Sequence, residues 1–254
     1  MRASSLQGAK YLPPILVVAG AIAAWEILVR ANNVPAGLLP APSAVLASII
    51  NDRNLLLDNL SVTLEEILLG FLLGLAAGIV VAIGIVYSKV FERTTYPIII
   101  VSQTIPIFAL APLLIIWLGF GIEPKVVLVA IGVFFPITVD MVAGLRDADQ
   151  EMLALLRTFR ASEWQTFRTV RLPNSIPFLI PGAQVGMTYA VIGAVIAEWI
   201  GAEKGIGKVM ISANALDRTD QLFAAMVLIT VVALLLFVMV RVAGRRIAPW
   251  YADE

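Results

Sequence analysis

The side chains that most often carry chemistry are scarce in this sequence. Cysteine and histidine are both absent, which excludes disulfides, thiolate nucleophiles and the usual zinc, haem and iron–sulfur ligands. Without histidine the commonest general base is missing, so a hydrolytic site would rest on carboxylates, lysine or tyrosine. We therefore predict no metal, no cofactor and no catalytic residues.

Six uncharged polar residues lie inside two long stretches of the chain that carry no charge. Polar side chains within apolar spans are costly and tend to line functional cavities. Together they predict a mildly polar pathway, which suits passage of a solute better than tight binding. The alternative is that these side chains form hydrogen bonds between helices. The six are Ser102, Gln103 and Thr104, just before Pro106, and Gln184, Thr188 and Tyr189.

The composition around these residues is that of a protein embedded in a bilayer. Of 254 residues, 60 % are hydrophobic and 14 % charged, whereas soluble domains are roughly half apolar and a quarter charged. The formal net charge is zero, so no overall field favours nucleic acid. The predicted partner is a lipid membrane.

Four long intervals without charge can each cross a bilayer, since a span needs roughly 20 apolar residues. Two weaker candidates are residues 11 to 30 and 124 to 145. The sequence thus predicts an all-α bundle of six transmembrane helices. The four intervals, of 29, 26, 22 and 20 residues, lie between Arg93 and Glu123, Arg171 and Glu198, Glu66 and Lys89, and Asp220 and Arg241.

The distribution of basic residues predicts the orientation of these spans. With the N-terminus inside, twelve of the eighteen lysines and arginines fall on the cytoplasmic side, which predicts a multi-pass cell-membrane protein with both termini in the cytoplasm. A basic start, an apolar run and "AIA" at Ala21 to Ala23 also fit a signal peptide. The apolar run starts late, so we expect a first span.

Glycine and proline within the spans predict close packing and bends. Gly70, Gly74 and Gly78 recur every four residues, a pattern that lets helix backbones approach closely. Pro106 and Pro112 remove backbone donors within one span and predict a bend that faces other helices or a cavity.

Three charged or amphipathic features flank the spans. A short amphipathic helix is predicted from about Ser43, with Val45, Leu46, Ile49 and Ile50 at helical spacing. Asp140 is expected to pair with an arginine such as Arg146. Glu198, beside Trp199, is expected at the outer end of a span, as a gate, a contact with a delivery protein, or an ordinary helix end among the headgroups.

The longest predicted cytoplasmic loop contains "LLRTFRASEWQTFRTVRLP", residues 155 to 173. Asp149 is a good N-cap, and a first helix after it places Met152, Leu155, Leu156 and Phe159 on one face. A second helix is predicted from Ser162, with Trp164 and Phe167 on one face, until Pro173 stops it. Two such helices favour docking of a partner; a helix flat on anionic lipid or a cover over the bundle mouth are the alternatives.

This loop resembles the signature of membrane subunits of binding-protein-dependent ABC importers, which reads Glu-Ala-Ala, three residues, Gly, nine residues, an aliphatic residue, one residue, Leu-Pro. Val170, Leu172 and Pro173 match its end, whereas Arg160 replaces the glycine and Ala154 to Leu156 replace Glu-Ala-Ala. A non-glycine residue puts the sharp turn between the helices in doubt. Further resemblance to the sulfonate, taurine, nitrate and vitamin-precursor branch comes from "TLEEILLGFLLGLAAGI", "ALAPLLIIWLGFG", "FFPITVDMVAGLRDAD" and "AVIGAVIAEWIGAEKGIGKVM".

The resemblance implies a type I importer fold in three parts: a first helix, external loop and amphipathic helix at 1–60, a permease core at 61–245 with a coupling loop at 146–173, and a cytoplasmic tail at 246–254. It implies a cytoplasmic ATP-binding subunit, an extracytoplasmic substrate-binding protein and a second permease subunit, expected to be identical. The implied ATPase-coupling residues are Leu155, Leu156, Phe159, Arg160, Ala161, Ser162 and Trp164.

The chain is not expected to bind nucleotide or to act as an enzyme. The string "GAEKGIGKVM" has neither the spacing nor the hydroxyl of a P-loop. The stretches "YAVIGAVIAEWIGAEKGIG" and "ALAPLLIIWLGFGIEPKVV" resemble permeases for riboflavin or the thiamine pyrimidine precursor, which implies a vitamin-type solute. The central parts of the spans also lack the fixed cations that an anionic sulfonate would be expected to meet. Sulfonate, taurine or nitrate transport is the alternative, and a proton-coupled secondary transporter is the alternative of another class.

Overall fold

The computed structural model describes residues 4–251, and the elements within that range are helical. Part of the predicted tail, 246–254, lies outside the described residues. The all-α prediction is confirmed. The helices are α1 (Ser4–Ala31), α2 (Pro42–Asn51), α3 (Arg53–Tyr87), α4 (Lys89–Ser102), α5 (Ile107–Leu118), α6 (Glu123–Arg146), α7 (Gln150–Thr158), α8 (Glu163–Thr166), α9 (Leu172–Gly201), α10 (Ile206–Ala215) and α11 (Thr219–Ile247), with a π-helical turn at Phe167–Arg171 and a 3₁₀ turn at Pro249–Tyr251.

Within residues 4–251, four helices are long and apolar enough to cross a membrane: α3, α6, the continuous helix Glu163–Gly201 and α11. The pair α4 and α5 makes a fifth candidate, bent by 105°. The predicted span at 11 to 30 falls in α1, which is not among these five, so the number six remains a prediction.

The uncharged interval between Arg93 and Glu123 is long enough for one straight span, but in the structure it is divided between two helices. Helix α4 ends at Ser102, and Pro106 adopts an extended conformation as the N-cap of α5. The predicted bend at Pro106 is confirmed, because a proline without an N–H begins a helix more readily than it continues one. Pro112 lies inside α5 without breaking it.

The chain forms two compact units, Met1–Asp58 with Val209–Leu228, and Asn59–Lys208 with Ile229–Glu254. In the first unit, α2 confirms the predicted short helix, and Val45 is buried. Leu46 and Ile50 are exposed, so the predicted apolar face is only partly covered. The Glu26 carboxylate accepts hydrogen bonds from the Ser43 hydroxyl at 2.8 Å and the Ser43 amide at 3.0 Å, which joins α1 to α2.

Helix α6 is the centre of the second unit. On one side it packs along α9, and Gly186 and Gly193 of α9 lie against Val133 and Val129 of α6. On the other side the glycine stripe of α3 meets α6: a Cβ at Gly74 would lie 2.5 Å from the Ala130 carbonyl and 2.7 Å from Val133 Cβ. The predicted close approach at these glycines is confirmed.

Candidate functional site

The loop at 146–173 begins with a capped helix, as its sequence predicts. The Asp149 carboxylate accepts a hydrogen bond from the Glu151 amide at 2.8 Å, and Glu151 stands in the first turn, where the helix dipole favours an anion. In α7 only Leu153 is buried. Leu155 is 50 % exposed and Phe159 73 % exposed, whereas Leu156 is half-buried, so most of the predicted apolar face is exposed.

Arg160 forms the turn after α7 in the conformation that glycine would adopt. Its φ is 53°, in the left-handed region that L-residues enter at a cost of about 1–2 kcal/mol. The Arg160 amide donates to the Arg157 carbonyl at 2.9 Å, and the Ala161 amide donates to the Leu156 carbonyl at 3.0 Å. These two bonds define a Schellman motif, so the turn forms without its motif glycine.

The second helix starts at Ser162, as predicted, and does not stop at Pro173. Ser162 and Gln165 form a capping box, with reciprocal bonds of 3.2 and 2.7 Å. The chain then continues through the π-helical turn, in which the Leu172 amide donates to the Phe167 carbonyl. Pro173 follows this π-helical turn directly and stands in the first turn of α9. Helix α8 is therefore continuous with a membrane span.

An aromatic chain joins the exposed face of α8 to the ends of two spans. Trp164, 67 % exposed, stacks on Phe167 with ring centroids 5.6 Å apart. Phe167 meets Tyr87, at the end of α3, edge to face at 5.9 Å. The Arg171 guanidinium lies over the Tyr87 ring and donates to the Leu145 carbonyl, near the end of α6, at 3.1 Å. A displacement of Trp164 therefore has a contiguous set of contacts along which to act.

Four of the six predicted pathway residues line one cavity of about 520 Å³ at the bend between α4 and α5. These four are Ser102, Gln103, Thr104 and Tyr189. The other two do not reach it; the Thr188 hydroxyl donates instead to the carbonyl of Gln184 at 3.1 Å. The remaining lining residues are Ile105, Pro106, Ile107, Leu110, Ile131, Gly132, Phe135, Pro136, Val139, Asp140 and Val185.

The hydroxyl groups at the bend bond to their own chain segment and not to other helices. Ser102 Oγ donates to the Ile99 carbonyl at 2.9 Å, and Thr104 Oγ1 donates to the Val101 carbonyl at 2.7 Å. Such bonds occupy carbonyls where the regular helical ladder ends. These two side chains therefore do not form the interhelical hydrogen bonds that were the alternative to a cavity lining.

The predicted pairing of Asp140 with Arg146 is wrong. Arg146 Nη2 lies 2.7 Å from Glu92 Oε1 of α4, whereas Asp140 lines the cavity. Arg146 lies six positions after Asp140, a spacing that puts them on different faces of α6, since helical neighbours are three or four apart. Among residues 4–251 no hydrogen bond or ion pair to the Asp140 carboxylate is found.

Three buried charges near the other ends of the spans were not predicted as a cluster. Lys125 Nζ lies 2.6 Å from Glu66 Oε1. Glu198, 1 % exposed, accepts from Thr63 Oγ1 and the Gly207 amide, both at 2.6 Å. Glu198 is thus not an ordinary helix end among headgroups. The available signal was the position of Glu66, four residues before Gly70 and on the same packed face.

The elements above define a class of protein. A helical chain with at least four candidate spans, a cavity at a broken helix pair and an exposed capped loop is typical of a polytopic membrane protein. The chain belongs to the family of binding-protein-dependent transport system inner membrane components, whose model matches residues 72–253. The type I importer fold expected from the resemblance is confirmed: a solved structure of the MetNI methionine ABC transporter matches with a TM-score of 0.67, 20 % identity and coverage of 78 % of this chain and 97 % of that one.

Several sequence relatives match nearly the whole chain. A probable ABC transporter permease of Haemophilus influenzae is 36 % identical over 90 % of this chain and 93 % of its own length. The formylaminopyrimidine transport permease ThiX of Halalkalibacterium halodurans is 31 % identical over 94 % and 96 %. A putative aliphatic sulfonates permease of Bacillus subtilis is 29 % identical over 94 % and 88 %.

The chain is therefore the membrane subunit of an ABC importer and not an enzyme; a partner subunit hydrolyses ATP. Membership in the family also implies a substrate-binding protein and a multi-pass membrane location. The family match settles these points, whereas the relatives are named for different solutes.

Proposed function

We propose that this importer subunit carries a vitamin or vitamin precursor, riboflavin or a thiamine pyrimidine precursor, through the cavity at the α4–α5 bend. The observation that carries the proposal is the cavity lining, in which Ser102, Gln103, Thr104 and Tyr189 provide polar groups while no lysine or arginine is present among the described lining residues. The name of the 31 % identical relative, a formylaminopyrimidine permease, supports the same solute class. Aliphatic sulfonate, taurine or nitrate transport is the second candidate, supported by the sulfonate permease of Bacillus subtilis.

The loop at 146–173 is the proposed docking site for the ATP-binding subunit. Its exposed apolar side chains and the turn at Arg160 support this assignment, because amphipathic helices bind partners through apolar anchors. The proposed coupling surface is Leu155, Leu156, Phe159, Arg160, Ala161, Ser162 and Trp164.

The assembly we propose is a homodimer of this chain with both termini in the cytoplasm, two ATP-binding subunits and one extracytoplasmic binding protein. The division into 1–60, a permease core at 61–245 and a cytoplasmic tail at 246–254 belongs to the same proposal. Gln184 and Thr188, outside the cavity, are proposed to line the path only in another state of the transport cycle.

The test is ATP-dependent uptake into vesicles that contain this chain with its ATP-binding subunit and binding protein. Labelled riboflavin, thiamine pyrimidine precursor and taurine are compared. Uptake of a vitamin-type solute supports the proposal, and uptake of taurine alone favours the second candidate. Trp164→Ala should uncouple ATP hydrolysis from uptake, whereas the matched exposed tryptophan change Trp117→Ala, in α5, should leave coupling intact.

A further inference from the structure

We propose that Asp140 makes the cavity selective for solutes that present N–H donors or a positive charge, and that it disfavours anions. This inference rests on the proposed function of the cavity as the solute pathway. It goes further in assigning a selecting residue to the membrane subunit itself, in addition to any selection by a binding protein.

The first observation is the charge of the side chains that line the cavity. Asp140 is half-buried in the span α6 and lines the cavity, and no lysine or arginine among the described residues lines it. The nearest arginine along α6, Arg146, is held by Glu92. An ionisable group in a membrane span that lacks a protein partner marks a solute or ion path.

Backbone geometry adds a second acceptor. Pro136 stands inside α6 and has no N–H to donate to the carbonyl of Gly132, four residues earlier. Both residues line the cavity. The Gly132 carbonyl therefore lacks its helical donor on the same wall that carries Asp140.

The hydroxyl groups of the bend add acceptors and few donors. Ser102 and Thr104 donate their hydrogens to the carbonyls of Ile99 and Val101, so the lone pairs of their oxygens are what remains for a solute. Side-chain donors on the lining are confined to Gln103 and Tyr189 among the residues that the structure describes, and the first amides of α5, at Ile107, add backbone donors. An acceptor-rich wall with a carboxylate fits an amino-pyrimidine or an ammonium group, whereas a sulfonate or nitrate brings only acceptors of its own.

Helix α9 holds the carboxylate in place. A Cβ at Gly182 would lie 2.8 Å from Asp140 Oδ2, so the missing side chain leaves room for Asp140 between α6 and α9. The position is thus fixed by packing and not by an ion pair.

The experiment uses the absence of cysteine from the sequence, which makes an introduced thiol unique within this chain, so that its labelling is followed on the separated subunit. Thr104→Cys is placed in the full chain, assembled with its ATP-binding subunit in vesicles. Modification rates are measured with a cationic trimethylammonium-ethyl and an anionic sulfonatoethyl methanethiosulfonate. We expect the ratio of the cationic to the anionic modification rate to be about ten times the same ratio for a free thiol in solution, since charged clefts change local reagent concentration by such factors.

Adding Asp140→Asn should abolish that preference, while the matched change Asp147→Asn, at the exposed end of the same helix, should preserve it. A ratio that Asp140→Asn leaves unchanged overturns the inference. The proposed function fails separately: if modified Thr104→Cys retains full solute uptake, the cavity is not the pathway, whatever the charge preference.

Discussion

Lys125 Nζ lies 2.6 Å from Glu66 Oε1, and both side chains are buried. Every fourth residue of α3 after Glu66 lies against every fourth residue of α6 after Lys125: Gly70 lies on Val129 and Gly74 on Val133. Because the residue numbers rise together, α3 and α6 run in the same direction with their backbones close. The ion pair and the glycine stripe are thus parts of one interface.

Removing the cation of this pair should destabilise the protein strongly. Lys125→Met leaves the Glu66 carboxylate buried without compensation, and breaking a buried pair in this way costs about 3–5 kcal/mol. The double variant Lys125→Met/Glu66→Leu should recover most of that loss. Thermal denaturation of the purified complex in detergent measures both; a single variant as stable as the parent would show that the pair is not compensating a buried charge.

The glycine stripe should tolerate no added side chain. Gly74→Ala places a Cβ against the Ala130 carbonyl and Val133, and overpacking of this kind typically costs about 1–3 kcal/mol. Gly20→Ala, in α1, is the matched control, because no atom lies within 4 Å of its added Cβ. The control should be neutral or slightly stabilising in the same denaturation assay. Equal effects of the two substitutions would argue against close packing of α3 on α6.

Arg160→Gly should stabilise the turn between α7 and α8. Glycine adopts the left-handed conformation without the penalty of about 1 kcal/mol or more that arginine incurs there. Arg157→Gly, inside α7, should instead destabilise by about 1 kcal/mol because glycine is a poor helix former. Hydrogen exchange of the Ala161 amide reports both changes, slower in the first variant and faster in the second. Faster exchange in both would mean that Arg160 is not strained.

Local signals in the sequence were sufficient for the caps and the bend. Asp149 and Ser162 each bond within three residues, and Pro106 acts through its own missing N–H. Capping and proline effects depend on neighbours along the chain, so they can be predicted without knowing what packs against the helix. The family resemblance added the class of protein and its partners.

Errors arose where distant residues or an irregular helix decided the outcome. Arg146 pairs with Glu92, which is 54 positions away in the sequence, and no local pattern indicates which carboxylate an arginine will pair with. Pro173 was expected to stop a helix, but a π-helical turn directly before it carries the chain on into α9. The cluster of Lys125 with Glu66 likewise depends on the register of two helices.

The most direct test of the account is ATP-dependent uptake and ATP hydrolysis by vesicles that contain Arg160→Glu, with Arg53→Glu as an exposed charge-reversal control outside the loop. If residues 149–172 couple this subunit to its ATPase, Arg160→Glu should insert into the membrane normally and lose uptake, with hydrolysis no longer stimulated by the loaded binding protein, while the control retains both. Unchanged coupling and uptake in Arg160→Glu would contradict the account.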